Sequence, residues 1–144
     1  MATNHSRLML NAPKEKVWEA LTNPEKVKAW QYGSILITDW KPGNEIRFKT
    51  EWEGHLFEQW GTVLEFKPYE SLKYRLFAPS PDLEDKPENY FVMEYKLVEK
   101  DNGTELLIIQ EDNRPGAKQE EEQGIENPVL SMLRDLIEQK HSAA

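Results

Sequence analysis

The chain has 144 residues, a net charge of −8 and no cysteine. The length fits one domain over residues 1–144. The lack of cysteine excludes disulfides and thiolate metal sites, and the negative charge disfavours nucleic-acid binding, which needs Lys and Arg to neutralise phosphates. A mean hydropathy of −0.77 argues against a membrane span, and no secretory signal is visible, so we expect a cytoplasmic protein. Five Trp, five Tyr and five Phe are generous for this length.

The first thirty residues predict one strand and two short helices. The strand covers Ser6 to Leu10, where Leu8 and Leu10 share one face. Pro13 and Pro24 each suit the start of a helix, because the N–H that proline lacks would be unpaired there. The second helix has Trp30 on its apolar side.

Between residues 34 and 110 the apolar period changes to two, which predicts six antiparallel strands joined by turns. Ile35 and Ile37 should point the same way in the first of them. In a later strand Leu56, Trp60, Leu64 and Phe66 should share one side, and Gly61 indicates a bulge or a close approach of two backbones. Residues 79–89, rich in proline and acids, predict a surface loop. The five longer strands are predicted at Glu45 to Trp52, Leu56 to Phe66, Leu72 to Ala78, Tyr90 to Val98 and Thr104 to Gln110.

The last part of the chain predicts helices. Residues 118–123 could form a short acidic helix, in which the carboxylates suit the amino-terminal turn. Asn127 and Pro128 would then cap and start a longer helix with a wide apolar stripe that includes Leu133. One helix running through Pro128 is the alternative, but proline inside a helix costs about 3 kcal/mol. We therefore favour a break near Gly124–Asn127.

Together these elements predict an α+β fold: a strand, two short helices, six strands and a long C-terminal helix. Consecutive hairpins form a meander, and segregated helices cover one face of such a sheet. Because sheets twist, the six-stranded run should curl around the last helix.

Residues 10–27 resemble the opening motif of the helix-grip (SRPBCC) superfamily, which includes START lipid-transfer domains and polyketide cyclases. Lys41–Ile46, Gly61–Glu65 and Gly103–Leu106 make the likeness greatest to the family of activators of heat-shock protein 90 ATPase. The resemblance implies a curved antiparallel sheet that grips the C-terminal helix. One departure is that the family's Gly-Trp pair before this helix is replaced by Gly124-Ile125.

A sheet curled around a helix leaves a cavity unless large side chains fill it, so plain core packing of the aromatic residues is the alternative to a ligand site. The resemblance supports a cavity that binds a hydrophobic or amphipathic small molecule or lipid, without a cofactor. The candidate ligand-binding residues are Trp30, Phe48, Trp52, Trp60, Tyr74, Tyr95 and Leu133.

Two further functions stay open. A cyclase or hydrolase would need a carboxylate in the cavity as general acid or base, and Glu58 is the one weak candidate, in phase with Trp60. Arg47 and Arg75 fall on the opposite phase of their strands, so neither is an obvious partner of Glu58 unless a strand bulge reverses the phase. An exposed Glu58 on an edge strand is the alternative. A chaperone contact is the second function, and an exposed strand edge could pair in a homodimer. The three histidines lack metal-ligand spacing, so no metal site is expected.

Overall fold

The computed structural model describes residues 2–31, 33–114, 116–124 and 126–138, except the side chain of Trp52. These residues form three α-helices, one 3₁₀-helix at Pro87–Asn89 and one antiparallel sheet of seven strands in the order β1-β7-β6-β5-β4-β3-β2. The helices are α1 (Lys14–Thr22), α2 (Pro24–Trp30) and α3 (Pro128–Ile137). The strands are β1 (Ala2–Leu10), β2 (Ile35–Thr38), β3 (Glu45–Trp52), β4 (His55–Lys67), β5 (Ser71–Phe77), β6 (Phe91–Lys100) and β7 (Gly103–Asp112).

The helices cover the concave face of the curved sheet, and α3 contacts α1, α2 and β1. The core between these layers contains Leu10, Ile46, Leu106 and Leu133, each completely buried. The predicted α+β fold, with a curved sheet around a C-terminal helix, is confirmed.

Capping asparagines define where two of the helices begin. The Asn23 Oδ1 accepts a hydrogen bond from the Glu25 backbone N–H at 2.9 Å, and the Asn127 Oδ1 accepts one from the Val129 N–H at 2.9 Å. Each cap leaves proline at the first helical position, where its missing N–H costs nothing. The predicted break before Pro128 is therefore confirmed, while the departure at Ile125 lies outside the described residues.

The acidic residues 118–123 do not form the predicted helix. This segment runs extended beside β1: Arg7 N donates to Gln123 O at 2.9 Å, and Gln123 N donates to His5 O at 3.0 Å. The Asn4 side chain also donates to the Lys118 carbonyl at 3.2 Å. An edge strand has free backbone donors and acceptors, so the segment pairs with β1 and not with itself. We call residues 118–123 the edge segment.

The predicted facing of β4 is wrong. The two-residue turn at Glu53-Gly54 pairs Trp52 with His55 and Phe48 with Gln59, so Phe57 and Gln59 lie on the concave face. Leu56, Glu58, Trp60 and Leu64 do not, and Leu56 is 58% exposed. Phe66 returns to the core side after the irregularity between Val63 and Glu65. Apolar residues at both 56 and 57 leave the alternation ambiguous, and the turn decides the register.

The edge strand β2 also turns apolar side chains away from the core. Ile35 and Ile37 do point the same way, as predicted, but they point away from the core and are about half exposed. Leu36 between them is buried in the core.

Candidate functional site

A cavity of about 460 Å³ lies between the concave face of the sheet and the first turn of α3. Its size falls within the range of about 300–1,000 Å³ that is typical of small-molecule sites. The described residues that line it are Ser6, Trp30, Gln31, Ser34, Phe48, Thr50, Phe57, Gln59, Tyr74, Leu76, Phe91, Met93, Tyr95, Ile108, Gln110, Asn127, Val129 and Leu130.

Aromatic rings form the main wall of this cavity. The Trp30 indole Nε1–H donates to the Ala20 carbonyl at 2.8 Å, which fixes the ring and pairs its buried donor. The Tyr74 ring packs between Phe48 and Tyr95, at centroid distances of 6.0 and 6.2 Å. Because each ring is held by a neighbour, the wall is preorganised.

Two tyrosine hydroxyls belong to the wall. Burial raises the pKa of Tyr74 well above its ordinary value, and the neighbouring Tyr95 adds to this rise. Burial also raises the pKa of Tyr95. Both hydroxyls therefore stay protonated near neutral pH, where they can donate or accept a hydrogen bond but carry no charge.

Polar side chains lie at two ends of the cavity. Gln31, Ser34, Thr50 and Gln59 form one group, in which Ser34 Oγ and Thr50 Oγ1 are 2.8 Å apart. Ser6, Gln110 and Asn127 line the cavity from β1, β7 and the cap of α3. No Asp, Glu, Lys or Arg occurs among the described lining residues. The arrangement can hold an apolar body and hydrogen-bond a polar group, without a charge to pair.

Of the predicted ligand-binding residues, Trp30, Phe48, Tyr74 and Tyr95 come together around the cavity. Leu133 lies in the core and is 0% exposed. Trp60 lies on the convex face, for the reason given for β4. The Trp52 side chain lies outside the described part of the chain. Whether any of these residues contacts a ligand stays a prediction.

Sequence reasoning missed several lining residues. The hairpin register would have placed Phe57 and Gln59 on the concave face, since a two-residue turn sets them opposite Thr50 and Phe48. Gln110 follows Leu106 and Ile108 at a period of two, so the pattern of β7 held this signal as well.

Glu58 lies away from the cavity and is paired. Its Oε2 is 2.6 Å from the Arg47 Nη1, and the Arg47 guanidinium also lies over the Trp60 ring, 5.3 Å from its centroid. The expectation that Arg47 would not reach Glu58 is wrong. The two residues share the convex face, because Lys49 pairs with Glu58 and Arg47 pairs with Trp60.

The described residues form no candidate metal site. Within them, no three His, Cys, Asp or Glu side chains gather closely enough to hold a metal ion. In the same part of the chain, no helix has both the length and the apolar composition needed to cross a membrane.

Solved structures with the same fold are numerous. A protein from Cytophaga hutchinsonii, solved in solution, is 32% identical over 99% of this chain and 97% of its own, with a TM-score of 0.76. The Aha1 dimer from Colwellia psychrerythraea is 17% identical over 96% of this chain and 97% of that one, with a TM-score of 0.66. An HSP90 activator from Plasmodium falciparum is also 17% identical, over 82% of this chain and 77% of its own, with a TM-score of 0.63.

Similarity to known sequences lies at the level of a family. No curated protein matches the chain. The family model of activator of Hsp90 ATPase homolog 1-like proteins, however, matches residues 11–138, which is nearly the whole sequence. The chain therefore belongs to the family of activator of Hsp90 ATPase homolog 1-like proteins.

Proposed function

We propose that the protein binds a hydrophobic or amphipathic small molecule in the cavity between the sheet and α3. The observation that carries this proposal is the cavity of about 460 Å³, walled by Trp30, Phe48, Tyr74 and Tyr95. These rings line an open space and leave it unfilled, which favours a ligand site over plain core packing.

The chemistry of the lining supports the same proposal. Moving apolar surface from water into such a space is favourable by about 25 cal/mol per Å². Hydroxyl and amide groups among apolar walls are the usual means by which a pocket orients its ligand. The described lining has no charged side chain, so a strongly charged ligand would lose its hydration without a partner.

A substitution that fills the cavity tests the proposal. Val129 lines the cavity and Val98 lies on the convex face, so Val129→Trp and Val98→Trp make the same change in two environments. We expect indole, used as a neutral apolar probe, to bind the parent and Val98→Trp equally. We expect binding to Val129→Trp to weaken by about tenfold or more, a loss of about 1.4 kcal/mol or more.

Calorimetric titration of the three proteins measures this difference, and their amide spectra check that each is folded. Equal affinity of Val129→Trp and the parent would contradict binding in the cavity.

A protein partner is the second candidate, because the family model is that of Hsp90 ATPase activator homologues. Exposed Ile35 and Ile37 on the edge strand β2 offer an apolar contact. The test is to titrate the protein into the Hsp90 of its own source and to measure ATP hydrolysis, where an unchanged rate would remove this candidate. The homodimer contact and the cytoplasmic location stay predictions.

The enzyme alternative has less support. Glu58 was its candidate carboxylate, and this residue pairs with Arg47 on the convex face. No carboxylate occurs among the described residues that line the cavity of about 460 Å³.

A further inference from the structure

A second cavity of about 200 Å³ adjoins the first one. Five described residues line both cavities, so the two spaces lie side by side: Ser6, Met93, Ile108, Gln110 and Asn127. We call the smaller space the vestibule. Its additional lining residues are Asn4, His5, Glu120, Glu121 and Gln123.

The vestibule exists because the edge segment pairs with β1. The backbone bonds between Gln123 and the β1 residues Arg7 and His5 hold the segment against the sheet. The Asn127 side chain donates to Gln123 Oε1 at 2.6 Å and so joins the cap of α3 to the same wall. These bonds fix the shape of the space without a ligand.

Hydrogen-bonding groups dominate this end. Gln110 sits where the two cavities meet, and among the described residues its side-chain amide has no hydrogen-bond partner. A free primary amide both donates and accepts. It can therefore bind the head group of a molecule whose apolar part lies against the aromatic wall.

The charges at this end discriminate between head groups. Glu120 and Glu121 line the vestibule, His5 is the one basic residue among the described residues that line either cavity, and no Lys or Arg occurs among them. The whole chain carries a net charge of −8. A negatively charged head group would meet like charges there and find no Lys or Arg to pair with.

We propose that the two cavities form one site for an elongated amphiphile, whose hydrogen-bonding head group carries no negative charge and lies at Gln110. The apolar tail lies among Trp30, Phe48 and Tyr74. The assignment of the tail rests on the function proposed above, and the assignment of the head group is independent of it.

Octanamide and octanoate test the charge of the head group, because they share one tail and have heads of nearly the same shape. At about pH 7.5 the octanoate head is ionised, since a carboxyl group titrates near about pH 4. Octanamide should bind about tenfold more tightly than octanoate, the effect expected of one unsatisfied buried polar contact. Equal affinities, or tighter binding of octanoate, would overturn the proposal.

Two matched variants test where the head group lies. Gln110→Leu removes the amide beside the vestibule, and Gln59→Leu removes one at the other polar group of the larger cavity. Octanamide should lose more affinity in Gln110→Leu than in Gln59→Leu. Contacts seen by nuclear Overhauser effects from the terminal methyl of octanamide should fall on Trp30 and Phe48. A larger loss in Gln59→Leu, or methyl contacts at Met93 and Ile108, would show the opposite orientation of the ligand and overturn the proposal.

Indole separates the failure of this inference from the failure of the proposed function. If indole binds in the larger cavity but the two octyl compounds bind alike, only the head-group assignment is wrong. If neither indole nor octanamide binds the folded protein, both proposals are overturned.

Discussion

On the convex face, Asp85 joins two aromatic side chains from separate parts of the chain. The Trp60 Nε1–H donates to Asp85 Oδ2 at 2.9 Å, and the Tyr90 hydroxyl donates to Oδ1 at 2.6 Å. Both bonds lower the pKa of Asp85 from its ordinary value, and the bond from Tyr90 has the larger effect. One carboxylate thus ties the loop of residues 79–90 to β4.

We expect Asp85→Ala to loosen this loop without unfolding the protein, because the bonds it removes are exposed and the core is untouched. Hydrogen exchange of the loop amides measures the effect, and the rates should rise. Asp82→Ala, in the same loop, is the control, since the Asp82 carboxylate takes no part in the bonds to Trp60 and Tyr90. Unchanged exchange in Asp85→Ala would show that the carboxylate does not hold the loop.

The same carboxylate predicts a pH dependence. A carboxyl whose pKa is lowered on folding stabilises the folded form above its ordinary pKa of about 3.9, and the contribution is lost as the pH falls through the lowered value. Protection of the loop should therefore persist at neutral and mildly acidic pH and fall only below that ordinary value. A loss of protection near neutral pH would contradict this assignment.

Gly61 has no space for a side chain. A Cβ at this position would lie 1.8 Å from the Arg75 carbonyl oxygen on β5. The sequence-based expectation of a close approach at Gly61 is confirmed, and the strand irregularity lies further on, between Val63 and Glu65.

Gly61→Ala should therefore destabilise the protein by about 1–3 kcal/mol, since the two strands must separate to admit the methyl group. Urea unfolding gives the free energy. Gly124→Ala is the comparison, because the nearest atom to its Cβ would be 3.3 Å away. A loss in Gly61→Ala no larger than that in Gly124→Ala would refute the steric argument.

Among the elements, α3 depends on one asparagine for its start. Asn127 Oδ1 accepts from the N–H groups of Val129 and Leu130, at 2.9 and 3.4 Å. Replacing such a cap with alanine costs about 1 kcal/mol, so Asn127→Ala should lower the free energy of unfolding by that amount in urea. Asn102→Ala, in the exposed turn between β6 and β7, should change it little. Equal losses in the two variants would argue against the cap.

The elements also show where sequence reasoning reaches its limit. The bounds of β3 agree with the prediction in full, because eight residues alternate without exception and a turn stands at each end. The facing of β4 could not be taken from alternation, since Leu56 and Phe57 are both apolar, and required the turn between Trp52 and His55.

The helix predicted for the edge segment is wrong for a different reason. Its local composition allows a helix, but its backbone bonds go to β1, more than a hundred residues earlier in the chain. A pairing so distant leaves no trace in local periodicity. The vestibule, which this segment encloses, was therefore beyond prediction as well.

At the scale of the whole molecule, the predicted fold was correct because its evidence was distributed over the chain. Seven strands, three helices and two capping asparagines each added an independent local signal. The cavity depends instead on how these elements curve and on which face each strand presents. The face of an element could be predicted where its apolar periodicity is unambiguous, as it is for Trp30, Phe48, Tyr74 and Tyr95. The periodicity of β4 is ambiguous, so the facing of Trp60 and Glu58 could not be predicted.

We propose that the aromatic wall encloses a binding site. The most direct measurement is a titration of the parent protein with indole, followed by the shifts of its backbone amides. We expect saturable shifts concentrated at the cavity-lining residues of β3, β5 and β6, around Phe48, Tyr74 and Tyr95. No shift up to the solubility limit of indole, or shifts confined to the convex face around Trp60, would contradict it.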